Sequence, residues 1–203
     1  MKKPKRILLA LLAVLLTALA GLLSLSASAE DAEPEQSGRT AAKAIVTPEI
    51  DGVEEDIWNT TAGMTYERNW VSNGKEAHQK AVVKMLWDAD NLYILVRMEY
   101  NEAVSDRFVE LRICERTDFA GLWNVSRENG GHAIAIRQDG TTESIYQIPV
   151  ILQANRTLAV RENADGNGFV AELRVSRVCL SAFAEDTEIR FAASTYDHSY
   201  LNT

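Results

Sequence analysis

Cysteine is almost missing from these 203 residues: Cys114 and Cys179 are the two present, far apart and without metal-ligand spacing. No Cys-x-x-Cys-His run exists, which removes covalent haem attachment of that kind. Histidine is scarce as well, with His78, His132 and His198 scattered along the chain. No serine stands in a nucleophile-elbow context, and the many carboxylates lack any setting that singles out a catalytic pair. The sequence therefore reads as non-enzymatic. Positive charge is the third shortage. There are 21 basic against 29 acidic residues, and setting aside Lys2, Lys3, Lys5 and Arg6 leaves 17 against 29, a balance of −12. A surface so acidic is poorly suited to nucleic acid or to anionic membranes, both of which are bound through Lys and Arg. Internal repeats are absent, and so is any long helical pattern after the first 29 residues.

What is present begins with an export signal. Four basic residues precede an uncharged run from Ile7 to Ala29 that ends in Ala27-Ser28-Ala29, the layout of a signal peptide (1–29) cleaved after Ala29. The run is also long enough to span a bilayer, so an uncleaved anchor is the alternative. Residues 30–40 turn to Glu, Asp, Ser, Gln, Pro and Gly, with little to bury, and read as a flexible acidic linker. Residues 41–203 are the size of one domain. The expected product is secreted and extracellular, off the membrane once the signal is cleaved. Oligomeric state is left open.

Ala81 to Tyr100 organises this domain. Two apolar runs flank Asp88-Ala89-Asp90-Asn91, whose side chains favour a turn, and so form a β-hairpin. Leu92, Ile94, Val96 and Met98 share one parity; Tyr93, Leu95, Arg97 and Glu99 take the other. One face should be buried and the opposite one partly wet. Met64–Val71 should form a strand that returns through Ser72-Asn73-Gly74. Val109, Leu111 and Ile113 alternate with Glu110, Arg112 and Cys114 as a half-buried strand. Ile134 and Ile136 mark another, Ile145–Leu152 one interrupted by Pro149, and Phe169 to Ser176 one after the turn at 163–168. Leu180–Phe183 suits a helical turn before a strand through Ile189, Phe191 and Ala193. Ile57 and Trp58, after acidic residues that suit a short helix, should plug one end of the core. Trp87 reads as core, and Trp70 with Tyr66 as packing on an outer strand. The whole is an all-β fold, an antiparallel two-sheet β-sandwich of jelly-roll or immunoglobulin-like type. Cys114 and Cys179 could pair in an exported protein, or stay independent thiols, since Cys114 lies off the apolar face.

Taken together, TPEIDGVEEDIW (47–58), VVKMLWDADNLYILVRM (82–98), FVELRI (108–113) and GFVAELRV with IRFAASTYD (168–197) resemble the family 9 carbohydrate-binding modules. That family's β-sandwich is shared with DOMON domains, and its members are attached to secreted xylanases and related enzymes. The resemblance implies a non-catalytic module whose partner is carbohydrate of plant cell-wall type, including xylan. In the family two tryptophans sandwich a terminal sugar. Val104 stands at the position of the first, and the second lies beyond the match to Asp197. Glu110 matches a family carboxylate. A family arginine falls at Ala135, with Arg137 one same-face position away.

Sugar recognition needs an aromatic plane for the apolar face of a pyranose and planar polar groups for its hydroxyls. The residues that fit are Trp123 in its polar loop as stacking surface, Glu110 as acceptor and Arg137 as donor. No cofactor is expected, with two alternatives. His78, His132 and His198 with Met64, Met85 and Met98 are the residues a haem-binding redox domain of DOMON type would use. Asp88, Asp90 and Asp165 are of the kind calcium takes. A third reading is an interaction domain that keeps the sandwich without the sugar site. Asn59, Asn124 and Asn155 begin glycosylation triplets that matter in a eukaryotic secretory pathway.

Overall fold

Asp88 ends one strand and starts the next. Its backbone N–H bonds the Asn91 carbonyl at 3.0 Å, and its Oδ1 accepts the N–H groups of Asp90 and Asn91, both at 2.8 Å. The turn closes the hairpin of β3 (Lys75–Trp87) and β4 (Asn91–Tyr100), in register from Trp87–Leu92 to Gln79–Tyr100. The computed structural model describes residues 40–72, 74–104, 107–114, 131–143, 155–180 and 188–196, which belong to the unit Thr40–Thr203. Among these, the remaining strands are β1 (Ala42–Lys43), β2 (Met64–Ser72), β5 (Phe108–Cys114), β6 (Gly131–Arg137), β7 (Thr142–Glu143), β8 (Arg156–Glu162), β9 (Gly168–Ser176) and β10 (Arg190–Tyr196). Single 3₁₀ turns lie at Asp56–Thr60 and Arg177–Cys179. The strand expected at Ile145–Leu152 and the turn at 181–183 fall outside the described residues.

The strands make two sheets. One runs β1-β3-β4-β9-β8, with β2 also paired to β3; the other runs β10-β5-β6-β7. β4 is thus a central strand, flanked by β3 and β9. Among the described strands all pairings are antiparallel except one: β1 lies parallel to β3, with Ala42 opposite Leu86. That exception is invisible to periodicity, because a two-residue strand has no period.

Between the sheets the alternation works as expected. Val83 and Met85 of β3, Leu92, Ile94, Val96 and Met98 of β4, and Phe169, Ala171, Leu173 and Val175 of β9 meet Val109, Leu111 and Ile113 of β5 and Ile134 and Ile136 of β6. Each fully buried aliphatic side chain stabilises the fold by about 1.5–3 kcal/mol before entropy is charged against it.

The opposite faces depart from expectation. Tyr93 and Leu95, expected partly wet, are buried with Leu86 and Trp58 in a second cluster on the outer side of the larger sheet. Trp58 therefore packs against that outer face and does not plug the end of the main core. Two carboxylates hold the segment there. Glu172, on β9, accepts the N–H groups of Asp51 (3.0 Å) and Gly52 (2.9 Å) and the indole Nε1–H of Trp58 (2.9 Å). Glu54 reaches Lys84 Nζ at 2.7 Å and an Arg97 Nη1 at 3.2 Å. Gly52 has φ 81°, and a Cβ there would stand 3.0 Å from the Arg161 Cβ. The Asp-Gly of the DGVEEDIW motif is thus a tight turn set close against β8.

Candidate functional site

On β5 the residues Phe108, Glu110, Arg112 and Cys114 share the face turned away from the core, since Val109, Leu111 and Ile113 take the other. The register sets Ala135 and Ser194 on either side of Glu110, and Ala133 and Ala192 on either side of Arg112. A charged pair is therefore bordered by small side chains on both neighbouring strands. Glu110 is 1% exposed and Arg112 4%. The strand expected to be half-buried is buried on both faces. The cost of placing charges at such depth is met by pairing: Arg112 Nε donates to Glu110 Oε1. The second carboxylate oxygen, Oε2, is buried and has no hydrogen-bond donor among the described residues.

Arg137 lies on the same outer face, opposite Phe108, with its guanidinium carbon 5.3 Å from the Phe108 ring centroid. Its backbone N–H bonds the Thr141 carbonyl at 3.0 Å, and its carbonyl accepts Gly140 N–H at 3.0 Å, which anchors the tight turn into β7. Glu110 and Arg137 thus lie on one face of the sheet. Trp123 lies outside the described residues. Val104, at the position of a family tryptophan, is 1% exposed within the main core.

Arg112 went unnoticed in the sequence. A usable signal existed: Glu and Arg at i and i+2 on one strand face, with alanine opposite, form a charged pair where a wet face would present scattered polar groups. Glu172 was missed for a different reason. Its partners are more than 110 residues away in sequence, and no local pattern reports them.

Other candidates are placed as follows. Met85 and Met98 are core residues, and Met64 packs against that core with Tyr66, whose OH lies 3.8 Å from its Sδ. Trp87 is half-buried at the core edge, its Nε1–H bonded to the Ala41 carbonyl at 3.1 Å and its ring 5.0 Å from Lys43 Nζ. His78 pairs with Glu67 at 3.1 Å, and buried His132 sets Nε2 2.8 Å from the Cys179 carbonyl; His198 and the Trp70 side chain lie outside what is described. Cys114 and Cys179 are both buried and are not joined by a disulfide; burial pushes the Cys179 thiol pKa up. Asp88 Oδ2 accepts the Tyr93 hydroxyl at 2.6 Å and Asp165 Oδ1 accepts Asn167 N–H at 3.0 Å. Among the described residues no three His, Cys, Asp or Glu side chains are grouped to hold a metal ion, and no helix is long and apolar enough to cross a membrane.

Comparison with known proteins gives three results. Residues 50–109 match the family described as "Carbohydrate family 9 binding domain-like". Endo-1,4-beta-xylanase A of Thermotoga neapolitana is 48% identical over 50 residues, which is 24% of this chain and only 4% of that enzyme. The fold is similar to that of a family 9 carbohydrate-binding module from Caldicellulosiruptor kristjanssonii, solved with glucose, at a TM-score of 0.54 and 18% identity over 77% of this chain and 76% of that one. The family match spans the Asp51–Trp58 motif, the central hairpin and the start of β5, and the fold match extends over the sandwich. The chain is thus similar to the family 9 carbohydrate-binding modules in sequence over residues 50–109 and in fold over the sandwich.

Proposed function

We propose that this chain is an exported, non-catalytic module that binds plant cell-wall type polysaccharide or its oligosaccharides. The observation that carries the reading is the family match over residues 50–109 on a fold like that of a module solved with glucose; the local likeness to a xylanase supports xylan as the polysaccharide. Trp123 serves as the stacking plane, Glu110 as hydroxyl acceptor and Arg137 as donor. Stacking one sugar ring removes ~100 Å² of apolar area from water, and at ~25 cal/mol per Å² this gives roughly 2.5 kcal/mol before ordering costs; with hydroxyl hydrogen bonds adding about 1–2 kcal/mol, binding is weak, about millimolar. The residues at 1–29 act as the export signal and 30–40 as a linker. Calorimetric titration with xylo- and cello-oligosaccharides, alongside Trp123→Ala, tests the reading.

Two observations favour the rival, an interaction domain without sugar affinity: Val104 is core where the family has a stacking tryptophan, and Glu110 is 1% exposed. Under that reading no neutral glycan binds the folded protein.

A further inference from the structure

Resting on the carbohydrate reading, in which Arg137 donates to a sugar hydroxyl, we propose that Phe108 is the positioning residue for Arg137. Its ring holds the guanidinium plane ready for the ligand without itself touching the sugar.

Phe108 opens β5 and Arg137 closes β6, and the register sets the two directly opposite each other. Cross-strand neighbours on one face are within reach of each other's side chains. The Arg137 guanidinium carbon lies over the Phe108 ring at 5.3 Å from its centroid, inside the ~6 Å over which the negative face of a ring attracts a cation. Phe108 is 0% exposed, whereas Arg137 is half-buried. The ring is therefore desolvated, the setting in which such a contact is strongest, and the arginine is the member of the pair that a ligand can meet. Among the described residues Phe108 belongs to neither apolar cluster, so packing in those clusters does not account for a large aromatic side chain here.

The backbone of Arg137 is fixed as well. Its N–H donates to the Thr141 carbonyl at 3.0 Å, its carbonyl accepts the Gly140 N–H at 3.0 Å, and the N–H of the following Gln138 donates to the Arg107 carbonyl at 3.2 Å. Asp139 Oδ1 tightens the same turn by accepting the Thr141 N–H at 2.8 Å. With the main chain set, the freedom that remains is in the long side chain. Ordering a free arginine at the moment of binding subtracts from affinity. A guanidinium already held flat on a ring has met much of that cost before the ligand arrives. Lysine at this position would keep the charge but has no planar fork to lie on the ring.

The test is an NMR titration with cello- and xylo-oligosaccharides of wild type, Phe108→Leu, Arg137→Ala and the double variant. Phe108→Leu should weaken binding about threefold to tenfold. The same substitution should change affinity by less than about twofold when Arg137 is already alanine, because the ring then has nothing to hold. A merely structural role would weaken both backgrounds alike. Arg137→Lys should lose affinity about as Phe108→Leu does. Where Phe108→Leu fails to fold, or Arg137→Ala leaves no measurable binding, Arg137→Lys decides: a loss supports the role of the ring, and wild-type affinity overturns it. Wild-type affinity in Phe108→Leu or in Arg137→Ala, or an equal loss from Phe108→Leu in both backgrounds, also overturns it and leaves the carbohydrate reading standing. Wild type that folds and binds no neutral glycan overturns both.

Discussion

The indole N–H of Trp58 donates to the Glu172 carboxylate at 2.9 Å, across 114 residues of sequence, with both residues at 0% exposure. The bond ties the segment carrying the DGVEEDIW motif to the outer side of the larger sheet. Trp58→Phe keeps an aromatic ring but removes the donor to a buried carboxylate, and should cost about 1–3 kcal/mol. Trp58→Ala also empties the cavity over Tyr93 and Leu95, and should cost about 3–5 kcal/mol. Urea unfolding measures both; equal losses would show that the hydrogen bond contributes little.

Two buried-side carboxylates should give opposite pH signatures. Burial raises the Glu172 pKa, and the Glu55 charge adds to this, against the hydrogen bonds from Asp51, Gly52 and Trp58 that lower it; the net shift is upward. The unfolded chain then loses this proton at lower pH than the native protein. Stability from Glu172 is thus greatest below the usual carboxylate value of 4.5 and is lost as pH rises through the folded value. At Asp88 burial also pushes upward, but the hydrogen bonds from Tyr93, Asp90 and Asn91 win and the pKa is lowered. Its stabilisation is present above 3.8 and is lost as pH falls through the folded value. Unfolding free energies of wild type, Glu172→Gln and Asp88→Asn across acid pH should show the wild-type advantage over Glu172→Gln shrinking as pH rises, and that over Asp88→Asn shrinking as pH falls. The reverse slope in either comparison would contradict the assignment.

Gly168 opens β9 where it meets the end of β4. A Cβ there would lie 2.0 Å from the Met98 carbonyl oxygen and 2.6 Å from Asn163 Nδ2, whereas one on Gly74 would meet nothing within 4 Å. Gly168→Ala should therefore part the β4–β9 pairing and cost several-fold more than Gly74→Ala, whose penalty is the left-handed backbone alone, about 1 kcal/mol. Thermal melts of the two variants compare them directly; equal shifts would mean the close approach is readily relaxed.

The inward faces were legible in the sequence because they obey a period of two. Leu92, Ile94, Val96 and Met98 point inward as their parity requires, and Asp88 to Asn91 turn as their side chains dictate. The outward faces were not. Tyr93 and Leu95 are buried by Trp58, held by a carboxylate on β9, and a local pattern carries no information about a distant segment that will cover it. Glu110 and Arg112 looked like a wet face because polar residues usually mark one; here both are buried and Arg112 Nε pairs with Glu110 Oε1. Of the site, the resemblance to family 9 modules is what put Glu110 and Arg137 forward, while the burial of Glu110 and Arg112 between β6 and β10 depends on cross-strand register, which one strand's pattern does not report.

Carbohydrate binding itself is most directly tested by isothermal titration of the folded protein with xylo- and cello-oligosaccharides, wild type beside Trp123→Ala. The account predicts saturable binding near millimolar in wild type and at least a tenfold loss in Trp123→Ala, with the thermal melt unchanged. Absence of heat with every neutral glycan at concentrations well above millimolar, from protein that still unfolds cooperatively, would contradict it.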